Sequence, residues 1–382
     1  MKDHRRQGRI PTSVVLRAAV VMFLCRLGSL NALGQARGSA FWSRWLGQSL
    51  PSPDTMGRVG ALLDLEGLRA LGRQIYERLK RGKALQAPAH GRMAAILDGH
   101  ETHASFKRHC PGCLERTIHT TGGDRIQYYH RVVALSLVAK DLRLMLDAEP
   151  VLRGEDEIAA ALRLLDRVIR SYPRAFDLVQ GDALYADPRF FHWALDHGKH
   201  AMAVLKNDRR DLLQDAQRLF EDQTPSHVQE GTRRCECWDL EGFTTWPQVR
   251  SGVRVVRSRE TRQVRRQLDG RVQSERSDWY WVTTLPSRQA STGAIVQLGH
   301  SRWDIENHGF NELVNQWHAD HVYRHEPTAM LAFWLLAQVC LNVFLAFFRR
   351  NLKPAARAAF SMLHVARLIQ AGLYRPKARA PT

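Results

Sequence analysis

Three acidic residues, far apart in the sequence, have the types and settings of a metal-dependent active site. Asp98 and Asp182 each end an apolar run typical of a β-strand, and Glu306 lies in a segment with helical periodicity. Mg²⁺ prefers oxygen ligands and takes few carboxylates, because water and substrate phosphate fill its other positions. Two ions held by such a trio can cleave phosphodiester bonds. We therefore predict that Asp98, Asp182 and Glu306 are the catalytic residues and the ligands of two Mg²⁺ ions, for which Mn²⁺ could substitute.

A basic and aromatic group surrounds the glutamate. Arg302 precedes Glu306 by four residues, so the two side chains share one face of a helix. The guanidinium could hold a DNA phosphate with two hydrogen bonds or pair with Glu306, and the two roles are compatible. His300 and Trp303 complete the predicted DNA-binding group, although Trp303 also continues an apolar stripe that should pack inward. Gly309 would let a DNA backbone approach the helix closely.

Three further acids lie close in sequence to the trio: Glu101, Asp187 and Asp304. Each has a more ordinary role available, as a helix cap or an exposed charge. We therefore expect none of them to be a primary metal ligand.

The chain carries a large positive charge, which points to a polyanionic partner. Its 382 residues include 56 Lys and Arg against 38 Asp and Glu, a net charge of +18. Arginine matches phosphate geometry, and a field of this sign favours nucleic acid. A solvated basic surface without a partner is the alternative. With 44% hydrophobic residues the chain can bury a large core, and its length predicts two or three domains.

The apolar pattern changes several times along the chain. Residues 1–90 read as helical and predict either a DNA-end-binding unit or a helical cap on the next domain. Residues 91–223 alternate strands and helices and predict a mixed α/β layer fold. Residues 224–290 predict an all-β insertion, and residues 291–351 return to helix. The basic tail, 352–382, contains one short amphipathic helix and could provide a dimer contact.

The insertion contains a predicted strand with three consecutive aromatic residues, whose side chains should alternate between the two faces of the strand. Trp279, Tyr280 and Trp281 follow one another there. Packing within the sheet is the ordinary explanation. Stacking of one ring on a flipped or unpaired base near a DNA end is the alternative.

One apolar run, residues 329–348, is long enough to cross a membrane. It contains Gln338 and Asn342, so we expect a helix buried in an α/β core and no membrane partner. The charged N-terminus lacks a signal-peptide pattern. We expect a cytoplasmic location.

The six cysteines indicate a reducing compartment rather than a disulfide scaffold. Four of them form two close pairs, Cys110 with Cys113 and Cys235 with Cys237. Four thiolates from two hairpins could hold a structural Zn²⁺. The alternative is four reduced thiols in loops.

The segments around the three acids resemble those of an insertion-sequence DDE transposase of the cut-and-paste group. The resemblance rests on residues 96–99, 179–185 and 302–307, in that order, and covers about residues 92–350. It implies an α/β fold in which an RNase H-like mixed sheet is flanked by helices. An all-β insertion between the second aspartate and the glutamate would interrupt this core, and a helical N-terminal region would precede it.

The third segment departs from the family pattern Tyr-x2-Arg-x3-Glu-x6-Lys. Arg302 and Glu306 match, whereas Gly299 and Leu313 stand at the tyrosine and lysine positions. The phosphate contacts of those two family residues therefore do not carry over. The candidate substitutes are His300 and His318.

The resemblance implies a Mg²⁺-dependent transposase that binds the terminal inverted repeats of a transposon. It would nick each end with metal-activated water and use the freed 3′-hydroxyl to join target DNA. It would act as a homodimer, because two ends must be paired. The alternatives are an RNase H-like nuclease without strand transfer and a catalytically silent, domesticated DNA-binding protein.

Overall fold

The N-terminal part of the protein is helical, as its periodicity predicts. The structure is a computed structural model that describes residues 2–6, 8–206, 210–230, 233–265 and 270–374. The first helices are α1 (Thr12–Leu24), α2 (Leu30–Gln35), α3 (Phe41–Leu46), α4 (Pro53–Ala61) and α5 (Leu65–Arg81). Helix α4 begins where Ser52 accepts a hydrogen bond from the Thr55 N–H and Pro53 occupies the first turn, both favourable start signals.

Ten strands in the described residues form one mixed sheet. The first six are β1 (Ala94–Ser105), β2 (Leu114–Thr120), β3 (Gly123–Val138), β4 (Arg143–Pro150), β5 (Leu178–Gly181) and β6 (His200–Val204). Strand β1 is antiparallel to β3 and parallel to β5, which is parallel to β6. The first half of β3 pairs with β2 and its second half pairs with β4. This arrangement confirms the predicted α/β fold with an RNase H-like core, although β2 was missed in a polar stretch.

The β-rich insertion continues the core sheet. Its strands are β7 (Ser226–Glu230), β8 (Arg233–Phe243), β9 (Val253–Arg265) and β10 (Val272–Thr283). Strand β10 pairs antiparallel with β6, so the strand order is β2-β3-β1-β5-β6-β10-β9-β8-β7. Alternating polar and apolar residues predict strands but not which neighbour each one pairs with, and this continuity was not expected.

Helices cover both faces of the sheet. They are α6 (Glu157–Ser171), α7 (Pro188–Asp196), α8 (Arg210–Glu221), α9 (Thr292–Ser301), α10 (Asn311–Asn315), α11 (Pro327–Arg350), α12 (Pro354–Ala359) and α13 (Met362–Leu373). In β1, Ile96 packs into the core that contains α11, whereas Ala95 and Leu97 pack into the core that contains α6 and α7. Because alternate residues of a strand point to opposite faces, a strand buried on both sides reads as a continuous apolar run.

The long apolar helix α11 is the centre of one of these cores. It is long and apolar enough to cross a membrane, but 78% of its most apolar window is buried inside the protein. Asn342 is held by β4: its side chain accepts a hydrogen bond from the Met145 N–H (3.0 Å) and donates one to the Met145 carbonyl (2.7 Å). Residues of α1, α2, α4 and α13 share the α11 core. This packing fits a core helix.

Candidate active site

The sheet register brings the two aspartates to the same place. Strands β1 and β5 are parallel, and Ile96 lies opposite Gln180. Asp98 and Asp182 each come two residues after that pair, so they lie side by side where the pairing of β1 with β5 ends. The sequence suggested that Asp98 ends its strand, and this prediction is wrong. Strand β1 continues to Ser105, paired with β3, and Asp98 lies opposite Ala134. The second half of β1 is polar, so the sequence lacks the apolar run by which a buried strand is recognised.

Glycines beside both aspartates make the close packing possible. The side chain of Asp98 accepts a hydrogen bond from the Gly99 N–H (2.9 Å), and that of Asp182 accepts one from the Leu184 N–H (2.9 Å). A β-carbon on Gly99 would collide with the carboxylate of Glu157. One on Gly181 would collide with the ring of a tyrosine in the following turn. Glycine therefore stands after Asp98 and before Asp182 because a side chain at either position would collide with its neighbours.

Glu306 lies on a distorted helix. Helix α9 ends at Ser301, and residues Ile305–Phe310 form a π-helical turn before α10. The sequence predicted one unbroken helix here. A π turn is rare and often marks a functional site. Gly309 is also not where DNA could approach: it is buried, and a β-carbon there would lie 2.9 Å from the sulfur of Met145. The glycine lets this turn lie close to the sheet.

Arg302 lies between the glutamate and an aromatic ring. Its Nη1 donates to Glu306 Oε1 at 2.6 Å, and its guanidinium lies 4.0 Å from the centre of the Trp303 ring. The Arg302 side chain is 8% exposed and that of Glu306 is 37% exposed, so the pair is buried on the arginine side and open to solvent on the glutamate side. Trp303 is 38% exposed, which corrects the expectation that it packs inward. The inward positions belong to Ile305 and Phe310.

Asp182 and Glu306 both lie within electrostatic reach of Asp98. Burial, together with the charges of Asp182 and Glu306, raises the pKa of Asp98 to about 7, while the charge of Arg302 opposes this rise. The negative charges of these carboxylates are not balanced by one arginine. Such a site favours binding of a divalent cation.

A fourth carboxylate, Glu157, was not anticipated. It lies in the first turn of α6 and is buried. Its Oε2 lies 2.6 Å from Nη2 of Arg131, and its Oε1 accepts a hydrogen bond from the Tyr185 hydroxyl at 3.1 Å. Its charge also raises the pKa of Asp98. In the sequence, a glutamate at a helix start looks like an ordinary response to the helix dipole, and no local signal distinguishes this one.

The other candidate acids are engaged elsewhere. Glu101 pairs with Arg116 at 2.7 Å, and Asp304 pairs with Arg143 at 3.1 Å. Asp187 caps α7 by accepting a hydrogen bond from the N–H of the residue two positions later. Each of these three carboxylates therefore has a protein partner, and their exclusion as primary metal ligands stays a prediction.

A cleft of about 500 Å³ lies beside the Glu306 turn, against β9 and β10. Its lining includes Arg262, Arg276, Trp279, His300, Trp303 and Asn307. Trp279 and Trp303 meet edge to face with ring centres 6.3 Å apart. His300 Nε2 lies 2.6 Å from Glu260 Oε1. The cleft therefore combines aromatic surface with arginines and with three acids, Glu260, Glu275 and Asp304, beside the Glu306 turn.

The unusual residues of the third segment also have structural explanations. A β-carbon on Gly299 would collide with the buried indole of Trp281, so this backbone has no room for the tyrosine of the family pattern. Leu313 is fully buried and could not reach DNA. The ring of His318 lies against Gly28 in the N-terminal region. Of the two histidines considered as substitutes, His300 is the one that lines the cleft.

The two cysteine pairs are not brought together. Cys110 and Cys113 lie between β1 and β2, whereas Cys235 and Cys237 are buried on β8, on the other side of the sheet's centre. The predicted four-cysteine site therefore cannot form within one chain. Such pairs can be found in a sequence, but their partners depend on the tertiary fold.

Comparison with known protein families identifies a match. The family model described as a transposase DDE domain covers residues 90–343, more than half of the chain and all three acids. No curated protein matches the chain significantly.

Proposed function

Because this chain belongs to the insertion-sequence DDE transposases, we propose that it cuts transposon ends and joins them to new DNA. The substrates would be the terminal inverted repeats and a target duplex. Each end would be nicked by hydrolysis of one phosphodiester bond, and the freed 3′-hydroxyl would then attack a target phosphate. The observation that carries the proposal is the convergence of Asp98, Asp182 and Glu306 on one side of the sheet.

The donor set of this site suits Mg²⁺. Asp98, Asp182 and Glu306 supply hard oxygen ligands, and their mutual repulsion would be relieved by divalent cations. When bound, two Mg²⁺ ions would activate the attacking water and stabilise the leaving oxygen. The three residues would hold those ions, with Mn²⁺ as a substitute. Glu157 and Arg131 would act as positioning residues, because their ion pair lies against Gly99, the residue after Asp98.

Arg302 would orient both the glutamate and the DNA. One arm of its guanidinium holds Glu306, and the planar group presents further donors that could bind a phosphate. Its neighbour Trp303 is exposed beside it. Because the family acts on DNA, we propose that Arg302, Trp303 and His300 contact the strand next to the cleaved bond.

The cleft extends this surface into the insertion. Trp279 lies on its wall, within ring contact of Trp303. Base stacking on aromatic side chains tolerates any sequence and contributes about 1–3 kcal/mol per base. We propose that an unpaired base near the transposon end stacks here. Trp281 does not take this role, because it is buried under α9.

The N-terminal region and the C-terminal tail would serve the pairing of two transposon ends. We propose that the N-terminal helices, residues 1–90, contribute to binding of the inverted repeats, and that the tail, 352–382, contributes a contact in a homodimer. The described part of that tail packs through α13 onto the α11 core. The protein would work on the bacterial nucleoid in the cytoplasm, without a membrane partner.

The test uses DNA that carries the inverted repeats flanking the gene. Wild-type protein should nick these ends with Mg²⁺ and not with EDTA, and should join the 3′ ends to a supercoiled target. Asp98→Asn, Asp182→Asn and Glu306→Gln should bind the same DNA without nicking it, and Glu101→Gln is the matched control. Nicking without joining would indicate a nuclease. Binding without nicking by the wild type would indicate a silent DNA-binding protein.

A further inference from the structure

Two thiols and two imidazoles meet at the base of the β2–β3 hairpin, outside the catalytic site. Cys110 and Cys113 lie between β1 and β2, His130 lies on β3, and His325 lies two residues before α11. One ligand atom from each residue lies within 4.8 Å of the ligand atoms of the other three. Cys113 is 1% exposed. The cluster is therefore a compact, largely buried set of donors drawn from three distant segments.

Four of the six donor–donor distances in the cluster are close to those of a tetrahedral zinc site. The two sulfurs are 3.7 Å apart, and Nε2 of His130 is 3.2 Å from each. Nε2 of His325 is 3.5 Å from the sulfur of Cys113. Zn–S bonds of about 2.3 Å and Zn–N bonds of about 2.0 Å in a regular tetrahedron set sulfur–sulfur and sulfur–nitrogen separations of about 3.8 and about 3.5 Å. We propose that Cys110, Cys113, His130 and His325 hold a structural Zn²⁺.

The local backbone supports the thiolates. The N–H of Cys110 donates a hydrogen bond to the sulfur of Cys113 at 3.2 Å, and the N–H of Cys113 donates to the Cys110 carbonyl at 3.1 Å. Donors to a ligating atom fix its orientation and stabilise its charge. A β-carbon on Gly112 would lie 2.6 Å from Cγ of Pro327. The turn between the cysteines is therefore pressed against the first residue of α11.

The donor set distinguishes this site from the carboxylate site. Thiolate and imidazole ligands select Zn²⁺, whereas Mg²⁺ takes oxygen ligands. Four protein ligands leave no open position, which is the arrangement of structural and not catalytic zinc. Binding would release the protons of the two thiols. The protein would then use two kinds of metal, a permanent zinc and the catalytic divalent ions.

The position of the cluster indicates what the zinc would do. Cys113 and His325 are 212 residues apart in the chain, and the site would join the hairpin base to the segment that follows the Glu306 turn. Glu326, the next residue, caps α11 by accepting a hydrogen bond from the Ala329 N–H at 2.8 Å. The zinc would therefore fix the β2–β3 hairpin relative to the start of α11.

The test measures metal and stability on the purified full-length chain. Wild-type protein expressed with zinc and then dialysed should contain about one zinc per chain. Replacement of zinc by Co²⁺ should give the sulfur-to-cobalt charge-transfer absorption of a thiolate site. A zinc-selective chelator should lower Tm, and added Zn²⁺ but not Mg²⁺ should restore it. These readouts do not depend on DNA cleavage, so the zinc proposal stands or falls separately from the transposase proposal.

Variants identify the ligands. Cys110→Ser and His325→Ala, at partly exposed positions, should lose the zinc and the chelator effect while remaining folded by circular dichroism. The Cys235→Ala/Cys237→Ala double variant and His109→Ala should keep both. Wild-type protein that is free of zinc and gives no cobalt spectrum would overturn the proposal. So would a Cys110–Cys113 disulfide in protein kept under reducing conditions, or zinc retained by Cys110→Ser and His325→Ala.

Discussion

Replacing Asp98 with asparagine should stabilise the metal-free protein, and increasingly so as the pH rises. Burial and the charges of Asp182 and Glu306 raise the pKa of Asp98 from 3.8 to about 7. The folded state therefore holds this proton more tightly than the unfolded state, and the ionised carboxylate costs stability as the pH rises from about 4 to about 7. A difference of about three pKa units, at about 1.36 kcal/mol each, gives an upper bound of about 4 kcal/mol.

The assay is urea unfolding of wild type and Asp98→Asn without divalent metal, at pH 5 and pH 8. The stability gained by the variant should grow by about 2–3 kcal/mol between these two pH values. Glu101→Gln is the control on the same strand. It removes a partly exposed pair with Arg116 and should cost about 1 kcal/mol or less. Adding Mg²⁺ at pH 8 should stabilise the wild type alone.

A flat difference between pH 5 and pH 8 would refute the argument that Asp98 faces uncompensated carboxylates. Asp98→Asn less stable than wild type at pH 8 would refute it as well. In either case the metal-site interpretation would lose its electrostatic basis.

Three further predictions follow from other contacts. Arg302→Lys keeps the charge but loses the planar group that pairs with Glu306 and lies on Trp303. The rate of single-turnover nicking of pre-bound DNA should therefore fall about tenfold, which corresponds to about 1.4 kcal/mol. The control, Arg143→Lys, should change this rate little. Gly299→Ala should lower the free energy of unfolding by about 1–3 kcal/mol, because its methyl group would collide with Trp281. Gly293→Ala on the same helix, where the new methyl group meets Val228 at an ordinary 3.6 Å, should be neutral or stabilising in the same unfolding titration. DNA affinity should fall roughly 10³–10⁵-fold between 50 and 200 mM salt if 6–10 phosphates are neutralised, and a flat anisotropy titration would mean that the positive charge serves another purpose.

The sequence predicted the α/β fold and the family because apolar runs and short motifs are local signals. The runs before Asp98 and Asp182 are strands buried on both faces, and such strands are recognisable without knowledge of their neighbours. The extension of β1 beyond Asp98 was not predicted, because its polar half is a strand only through pairing with β3. The pairing of β10 with β6 was missed for the same reason.

Other parts of the site depend on tertiary packing and could not be predicted. The π turn around Glu306 lies where Gly309 packs closely against Met145. Neither residue by itself predicts a π turn from the sequence. Glu157 has the sequence context of an ordinary helix start, yet its charge raises the pKa of Asp98. His130 and His325 carry no sequence signal that links them to Cys110, because the fold alone brings those segments together.

The most direct test of the central claim is a change of metal preference at a carboxylate. Asp182→Cys replaces a hard oxygen ligand with a thiolate, which binds Mn²⁺ better than Mg²⁺. With pre-bound transposon-end DNA, this variant should nick with Mn²⁺ and fail with Mg²⁺, whereas the wild type should nick with both and Asp182→Ala with neither. Mg²⁺-supported nicking by Asp182→Cys at the wild-type rate would show that Asp182 does not hold the metal, and would contradict the account.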